Sequence, residues 1–233
     1  LNLEIFHRSE LLAMLIQDQP GIAIAGSHGK TSTSTILTTL LALAGKDPTA
    51  IIGGNIPYYD SNAHFGSGNF LVAEADESDG SLVKFKPAIS LITNLELDHT
   101  DYYKNLSELI KTMKIFENNS KIIIANYDCK NIRDNIKANY WFSTKIKKDI
   151  DLCAIPIKLT ESYTKVELFN KEKSLGIIDI PLPGMHNLSN TIGALLACRI
   201  AGVPFKSIKT IIHEIKLPGR RFEFRGIWKG RKI

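Results

Sequence analysis

The sequence has 233 residues, 44% hydrophobic and 23% charged, which is enough for one sizeable core or two small ones. Its longest apolar-looking stretch, around Thr35 to Ala44, is broken by threonines and too short to span a membrane. The first residues show no basic-then-apolar export pattern, so neither a membrane anchor nor secretion is expected. Lys and Arg number 29 against 24 Asp and Glu, a net charge of +5. That excess suits a polyanionic ligand. With no aromatic-and-basic repeat, a small anionic substrate fits it better than nucleic acid.

Cys129, Cys153 and Cys198 are odd in number, widely spaced and form no CxxC, which argues against a disulfide framework or a zinc site. Reduced thiols in a cytoplasmic protein are the expectation.

In chain order, Leu3 to Gln17 has apolar residues at roughly helical spacing and stops before Pro20-Gly21. Gly21 to Ala25 reads as a buried strand, Gly26 to Lys30 as a tight turn, and Thr31 to Ala44 as a helix closed by Gly45. Ala50 to Ile52, Phe70 to Ala73, Ala88 to Thr93 and Lys121 to Ala125 are apolar runs of strand length, with a clear helix from Leu106 to Phe116. This alternation predicts an α/β fold with a mostly parallel sheet and helices on both faces. From about Ile150 the pattern changes. Asp151 to Ile157, Lys165 to Phe169 and Leu175 to Ile180 read as short strands forming a small antiparallel β extension. Asn187 to Ala201 and Phe205 to Ile215 read as helices, Leu217-Pro218-Gly219 as a break, and Phe222 to Trp228 as a last strand.

Gly26-Ser27-His28-Gly29-Lys30-Thr31-Ser32 carries the chemistry. Its glycines allow a tight turn whose consecutive amides would point at phosphate oxygens, with the positive end of the next helix behind them. Lys30 would reach the β- and γ-phosphates, and the Thr31 hydroxyl would bind Mg²⁺. Only Ser27 and His28 separate the two glycines, so the loop is shorter than the common phosphate loop. A capping turn with a solvated lysine is the bland alternative. Glu74-Ala-Asp-Glu-Ser-Asp79 follows another strand run, at the sheet edge where α/β folds place ligands. Glu74, the first polar residue there, is the candidate metal carboxylate. A solvated acidic loop is the expectation for at least one of Glu77 and Asp79. His99, after a further strand end and beside Glu96 and Asp98, is a candidate metal or phosphate contact.

These blocks, together with Gly184-Met-His-Asn187, Asn190 and Gly219-Arg-Arg-Phe-Glu223, resemble the Mur ligase family, and most of all its alanine-adding branch. The family's tripeptide-recycling branch is the nearest rival pattern. More distant alternatives are another amide ligase of the superfamily, such as a folylpolyglutamate or cyanophycin synthetase, and a nucleotide-binding switch module without ligase activity. The resemblance implies a P-loop NTPase-like domain. It also implies an ATP-dependent ligase joining L-alanine to the lactyl carboxylate of UDP-N-acetylmuramate through an acyl phosphate, in peptidoglycan synthesis.

Roles follow from the same resemblance. Lys30 would hold the ATP phosphates, Thr31 and Glu74 the first Mg²⁺, and His99 a second. His186 and Asn187 would contact adenine with Asn190 close by. Arg221 of the Arg220-Arg221 pair would stabilise transferred phosphate. Asn62 and His64, in a loop after Gly53-Gly54, would face the muramoyl substrate. Lys114, near the position of a modified lysine in sister ligases, is read as a solvated helix residue. Whole members have three domains. Residues 1–19 are therefore expected to be a remnant of the linker from an N-terminal UDP-binding domain. Residues 20–218 would be the central ATP-binding domain and 219–233 the start of a C-terminal one. Such a chain would bind ATP weakly and ligate little alone.

Overall fold

The computed structural model describes residues 4–98, 100–146, 148–218 and 226–232. Its elements are α1 (Arg8–Asp18), β1 (Gly21–Ala25), α2 (Lys30–Leu43), β2 (Thr49–Ile56), β3 (Ser61–His64), β4 (Leu71–Glu74), a 3-10 turn (Ser81–Lys84), β5 (Ile89–Ile92), α3 (Leu106–Asn119), β6 (Ile122–Asn126), α4 (Lys130–Asn135), β7 (Tyr140–Ser143), β8 (Leu152–Leu159), β9 (Thr164–Asn170) and β10 (Lys173–Ile180). They are followed by α5 (Met185–Ile200), α6 (Phe205–Ile211), a second 3-10 turn (Ile212–Glu214), and the two-residue strands β11 (Ile227–Trp228) and β12 (Arg231–Lys232).

One sheet takes the order β10-β9-β8-β7-β6-β5-β1-β4-β2-β3. The run from β8 to β2 is parallel. The outer strands β3, β9 and β10 pair antiparallel. The expected antiparallel extension therefore continues the parallel sheet through β7 and β8. β1 lies between β4 and β5, and the chain crosses from one side of it to the other between those strands. That is a topological switch point, and the crevice beyond the carboxyl ends of the strands there is where such sheets bind ligands.

β1 shows why the sheet is buried on both faces. Ile22 and Ile24 enter a core with Ile36, Leu37, Leu40 and Leu41 of α2 and Leu188, Ile192 and Leu195 of α5. Ala23 and Ala25 point the other way, toward Ala13 and Ile16 of α1 and Leu109, Met113 and Phe116 of α3. The two-residue period of a strand divides its side chains between two helical layers. Each fully buried Ile or Leu contributes about 1.5–3 kcal/mol. α1 is thus packed into the body: a Cβ on Gly21 would lie 2.6 Å from Cγ2 of Ile16.

Local signals account for most boundaries. α1 begins where the His7 amide donates to Glu10 Oε2 and the Ser9 amide to His7 Nδ1. α3 begins where Asn105 Oδ1 accepts from the Glu108 amide at 3.1 Å. α6 stops at Ile211, short of the predicted Ile215, and finishes as the 3-10 turn. Of the predicted last strand, Phe222 to Arg225 lie outside the described residues, and Ile227–Trp228 pairs with Arg231–Lys232.

Candidate functional site

The loop after β1 stands at the switch point. Gly26 has φ +130°, and a Cβ there would lie 2.3 Å from Thr93 Oγ1. Gly29, the residue before α2, has φ +86°, and its Cβ would lie 2.4 Å from Asn190 Oδ1. Both positions require glycine for conformation and for space. α2 starts at Lys30 with Gly29 as its N-cap, so no side chain of that residue caps it.

The segment after β5 buttresses this loop. The Ser27 amide donates to Asn94 O at 3.2 Å, the His28 amide to Asn94 Oδ1 at 2.8 Å, and Asn94 Nδ2 to His28 O at 2.8 Å. Thr93 Oγ1 donates to His28 O at 2.7 Å, while Ser27 Oγ donates to Glu96 O and accepts from the Glu96 amide. The expectation that consecutive loop amides point at phosphate therefore does not extend to Ser27 and His28, whose amides hold the loop against Asn94.

Lys30 Nζ donates to Gly26 O at 2.9 Å and to both carboxylate oxygens of Glu77, at 3.0 and 2.8 Å. Asp76 Oδ1 stands 3.6 Å away. Glu77 is 1% exposed, so the solvated acidic loop expected for at least one of Glu77 and Asp79 describes only Asp79, which is exposed and caps the Ser81 amide. Sequence reasoning missed Glu77 because only the fold brings it to Lys30. Its place in a run of four carboxylates gave no local sign of burial.

Glu74 ends β4 beside Thr31. Thr31 Oγ1 donates to Glu74 Oε2 at 3.1 Å, Ser34 Oγ to Oε1 at 3.3 Å, and the Gly53 amide to Oε1 at 2.8 Å. Gly53 and Gly54 make this approach possible: a Cβ on Gly54 would lie 2.8 Å from Thr31 Cγ2. A hydroxyl and a carboxylate side by side are hard oxygen donors of the kind Mg²⁺ takes, usually with phosphate oxygens and water completing the shell. Among the described residues, no group of three or more His, Cys, Asp and Glu side chains is placed to hold a metal by itself.

A cleft of about 1030 Å³ is lined by Gly29 and Ser32, by His186, Asn187 and Asn190 at the start of α5, and by Asn94, Asp128 and Lys145. Asn187 is 7% exposed and its Nδ2 donates to Pro183 O at 2.7 Å, so its side chain is turned back onto the entry loop. Asp128 is held in that lining by accepting from Ser143 Oγ and from the Thr144 amide and hydroxyl.

The fold does not bring Asn62 and His64 to this cleft. They lie on β3, not in a loop, and His64 pairs with Ala50 near the start of β2. Its Nε2 is 2.8 Å from Asp47 Oδ1 and its ring stacks on Tyr59 at 3.7 Å. Asn62 is exposed on the same strand. The connection became a strand because residues 61–64 pair with β2, a long-range event that the short polar run did not announce. Lys114 lies on an exposed face of α3, as the sequence suggested. His99, Arg220 and Arg221 lie outside the described residues.

A family model described as Mur ligase middle domain matches residues 24–198. A UDP-N-acetylmuramate–L-alanine ligase of Prochlorococcus marinus (strain MIT 9313) is 54% identical over 232 residues, 100% of this chain and 48% of the relative. One from Synechococcus sp. (strain CC9311) is 52% identical over 233 residues, again 100% of this chain and 48% of the relative. The chain spans about half the length of the curated relatives it matches. Among solved structures, the UDP-N-acetylmuramate-alanine ligase of Thermotoga maritima superposes with a TM-score of 0.84 at 20% identity, covering 95% of this chain and 51% of that one. The UDP-N-acetylmuramate:L-alanyl-gamma-D-glutamyl-meso-diaminopimelate ligase of Neisseria meningitides gives 0.80 at 22% identity, covering 91% and 71%. These two likenesses concern the fold.

Proposed function

The chain belongs to the Mur ligase family, and from that premise we propose that it is the ATP-binding portion of an enzyme joining L-alanine to the lactyl carboxylate of UDP-N-acetylmuramate. The observation that carries this reading is the contact of Gly29 with Asn190. It brings the glycine loop and the start of α5 together at a cleft of about 1030 Å³ that His28, Gly29, Ser32, His186 and Asn190 all line. The names of the relatives support the substrates, and residues 20–218 are the proposed nucleotide-binding domain.

ATP with Mg²⁺ would supply the phosphoryl group that activates a carboxylate for attack by an amino group. The chain's own residues bind and orient. Lys30 offers a fixed ammonium at the loop. Thr31 and Glu74 form the donor pair that would hold Mg²⁺, and Ser34 and the Gly53 amide keep the Glu74 carboxylate aimed. His186 and Asn187 are the proposed base-side contacts, with Asn190 close by at Gly29; His99 is the proposed ligand of a second Mg²⁺ and Arg221 the proposed contact to transferring phosphate. No side-chain nucleophile is required, and the work is positioning and charge neutralisation.

Isothermal titration of this chain with a non-hydrolysable ATP analogue and Mg²⁺, beside Lys30→Ala, tests the reading. Binding by the parent that the substitution removes is the expected result. Binding that survives Lys30→Ala unchanged would reject the loop as the phosphate site.

A further inference from the structure

We infer that Glu77 is a positioning residue of this nucleotide site, a fixed counter-ion that holds the Lys30 ammonium in the phosphate loop and offsets its charge. The inference rests on the nucleotide reading above and adds a residue to it. Three observations carry it. Glu77 reaches Lys30 Nζ with both oxygens, at 3.0 and 2.8 Å. It is 1% exposed, while Lys30 is 15% exposed on its side chain, so the pair is withdrawn from water with the lysine on the outer side. Its backbone is anchored too: Tyr103 Oη donates to Glu77 O at 2.6 Å and the Gly80 amide donates to the same oxygen at 2.9 Å. Tyr103 is itself 2% exposed, and burial pushes its hydroxyl up to about 12, so it remains a donor at any working pH.

The consequence follows from valence and burial. An ammonium has three N–H groups. Gly26 O takes one and Glu77 at least one more, which leaves no more than one for a phosphate oxygen. Pulling Lys30 away from Glu77 for the ligand would separate an ion pair that is withdrawn from water, which is costly. The lysine therefore serves carboxylate and phosphate together. Glu77 sets where Nζ sits, and its negative charge lowers the affinity the loop would otherwise have for a polyphosphate. A side chain that only filled space would have the first effect and not the second.

The test compares this chain with Glu77→Gln and Glu77→Asp, titrating each with adenylyl imidodiphosphate. Gln keeps the shape and an acceptor for Lys30 but removes the charge. Binding is expected to tighten by about tenfold at low salt. That gain should shrink as KCl is added, because screening removes a charge effect and not a packing effect. Asp keeps the charge and should stay near the parent. A folded Glu77→Gln chain, with a parent-like melting transition, that binds no more tightly than the parent would overturn the inference.

The rate at which an amine-acylating reagent modifies Lys30 provides a nucleotide-free second readout. It should rise several-fold in Glu77→Gln as Nζ loses its carboxylate contacts. A parent chain that binds no analogue would count against the nucleotide reading, and the labelling rates would then decide the pairing alone, with no rise overturning it.

Discussion

Thr31 and Glu74 lie 43 residues apart in the chain, yet the threonine hydroxyl donates to the glutamate carboxylate at 3.1 Å. The contact exists because β1 and β4 are neighbours in the sheet, with Ile24 opposite Glu74, so the helix leaving β1 starts beside the end of β4. If this pair holds Mg²⁺, Glu74→Gln should leave the fold intact and remove the Mg²⁺-dependent part of nucleotide affinity. The expected loss is about 10- to 100-fold, the range for disturbed metal sites. Titrations with Mg²⁺ and with EDTA measure it. The parent should respond to EDTA and the variant should not.

Gly29→Ala should fail on two counts. The left-handed backbone costs an L-residue about 1–2 kcal/mol. The added carbon would also meet Asn190 Oδ1 at 2.4 Å and push α5 from the loop. Urea unfolding should show the loss of stability, and titration should show nucleotide binding reduced further than stability alone explains. A variant equal to the parent in both would contradict the close approach.

Asp47 ties down the β2–β3 hairpin. It accepts from the Ser67 amide at 2.7 Å and hydroxyl at 2.8 Å, and its Oδ1 lies 2.8 Å from His64 Nε2. Led by the Ser67 amide, these bonds lower its carboxyl from the ordinary 3.8 to about 2. Because the folded value lies below the ordinary one, this contribution is complete above about pH 4 and is lost as pH falls toward 2. Asp47→Asn tolerates the local φ of +36° and should flatten that segment of a melting-temperature-against-pH curve. An unchanged curve would mean that the carboxylate contributes nothing.

Thiol chemistry should separate the three cysteines. Burial pushes the Cys198 thiol up to about 12, and Cys153 is also buried. Cys129 is partly exposed and lines the cleft. Iodoacetamide should therefore alkylate Cys129 first in the native protein, more slowly when the ATP analogue occupies the cleft. Peptide mapping that finds Cys198 modified first would contradict the packing.

The sequence by itself determined the features that are local. β1 matches its predicted span, Gly21–Ala25, because five consecutive small or apolar residues between Pro20 and the glycine loop leave little else possible. The starts of β4, β5 and β6 and of α3 fall within a residue of their predicted places, since each depends on a run or spacing contained in a dozen residues. The glycine turn between β1 and α2 and the place of Glu74 at the end of β4 were legible for the same reason, each being announced by a short local run.

Only the tertiary structure decided which distant residues share a site. β3 and β7 are short, partly polar strands that gain their structure from neighbours, and α4 is a single short helix with no amphipathic run to announce it. Thr93 and Asn94 follow an unremarkable apolar strand, and nothing local says they bond to His28, 65 and 66 residues away. The sequence around His64 likewise does not announce its contacts with Asp47 and Tyr59. Glu77 differs from the carboxylates around it in facing Lys30 inside the protein. Burial is a property of the whole packed chain, so the order of strands in the sheet made that carboxylate the partner of the loop lysine.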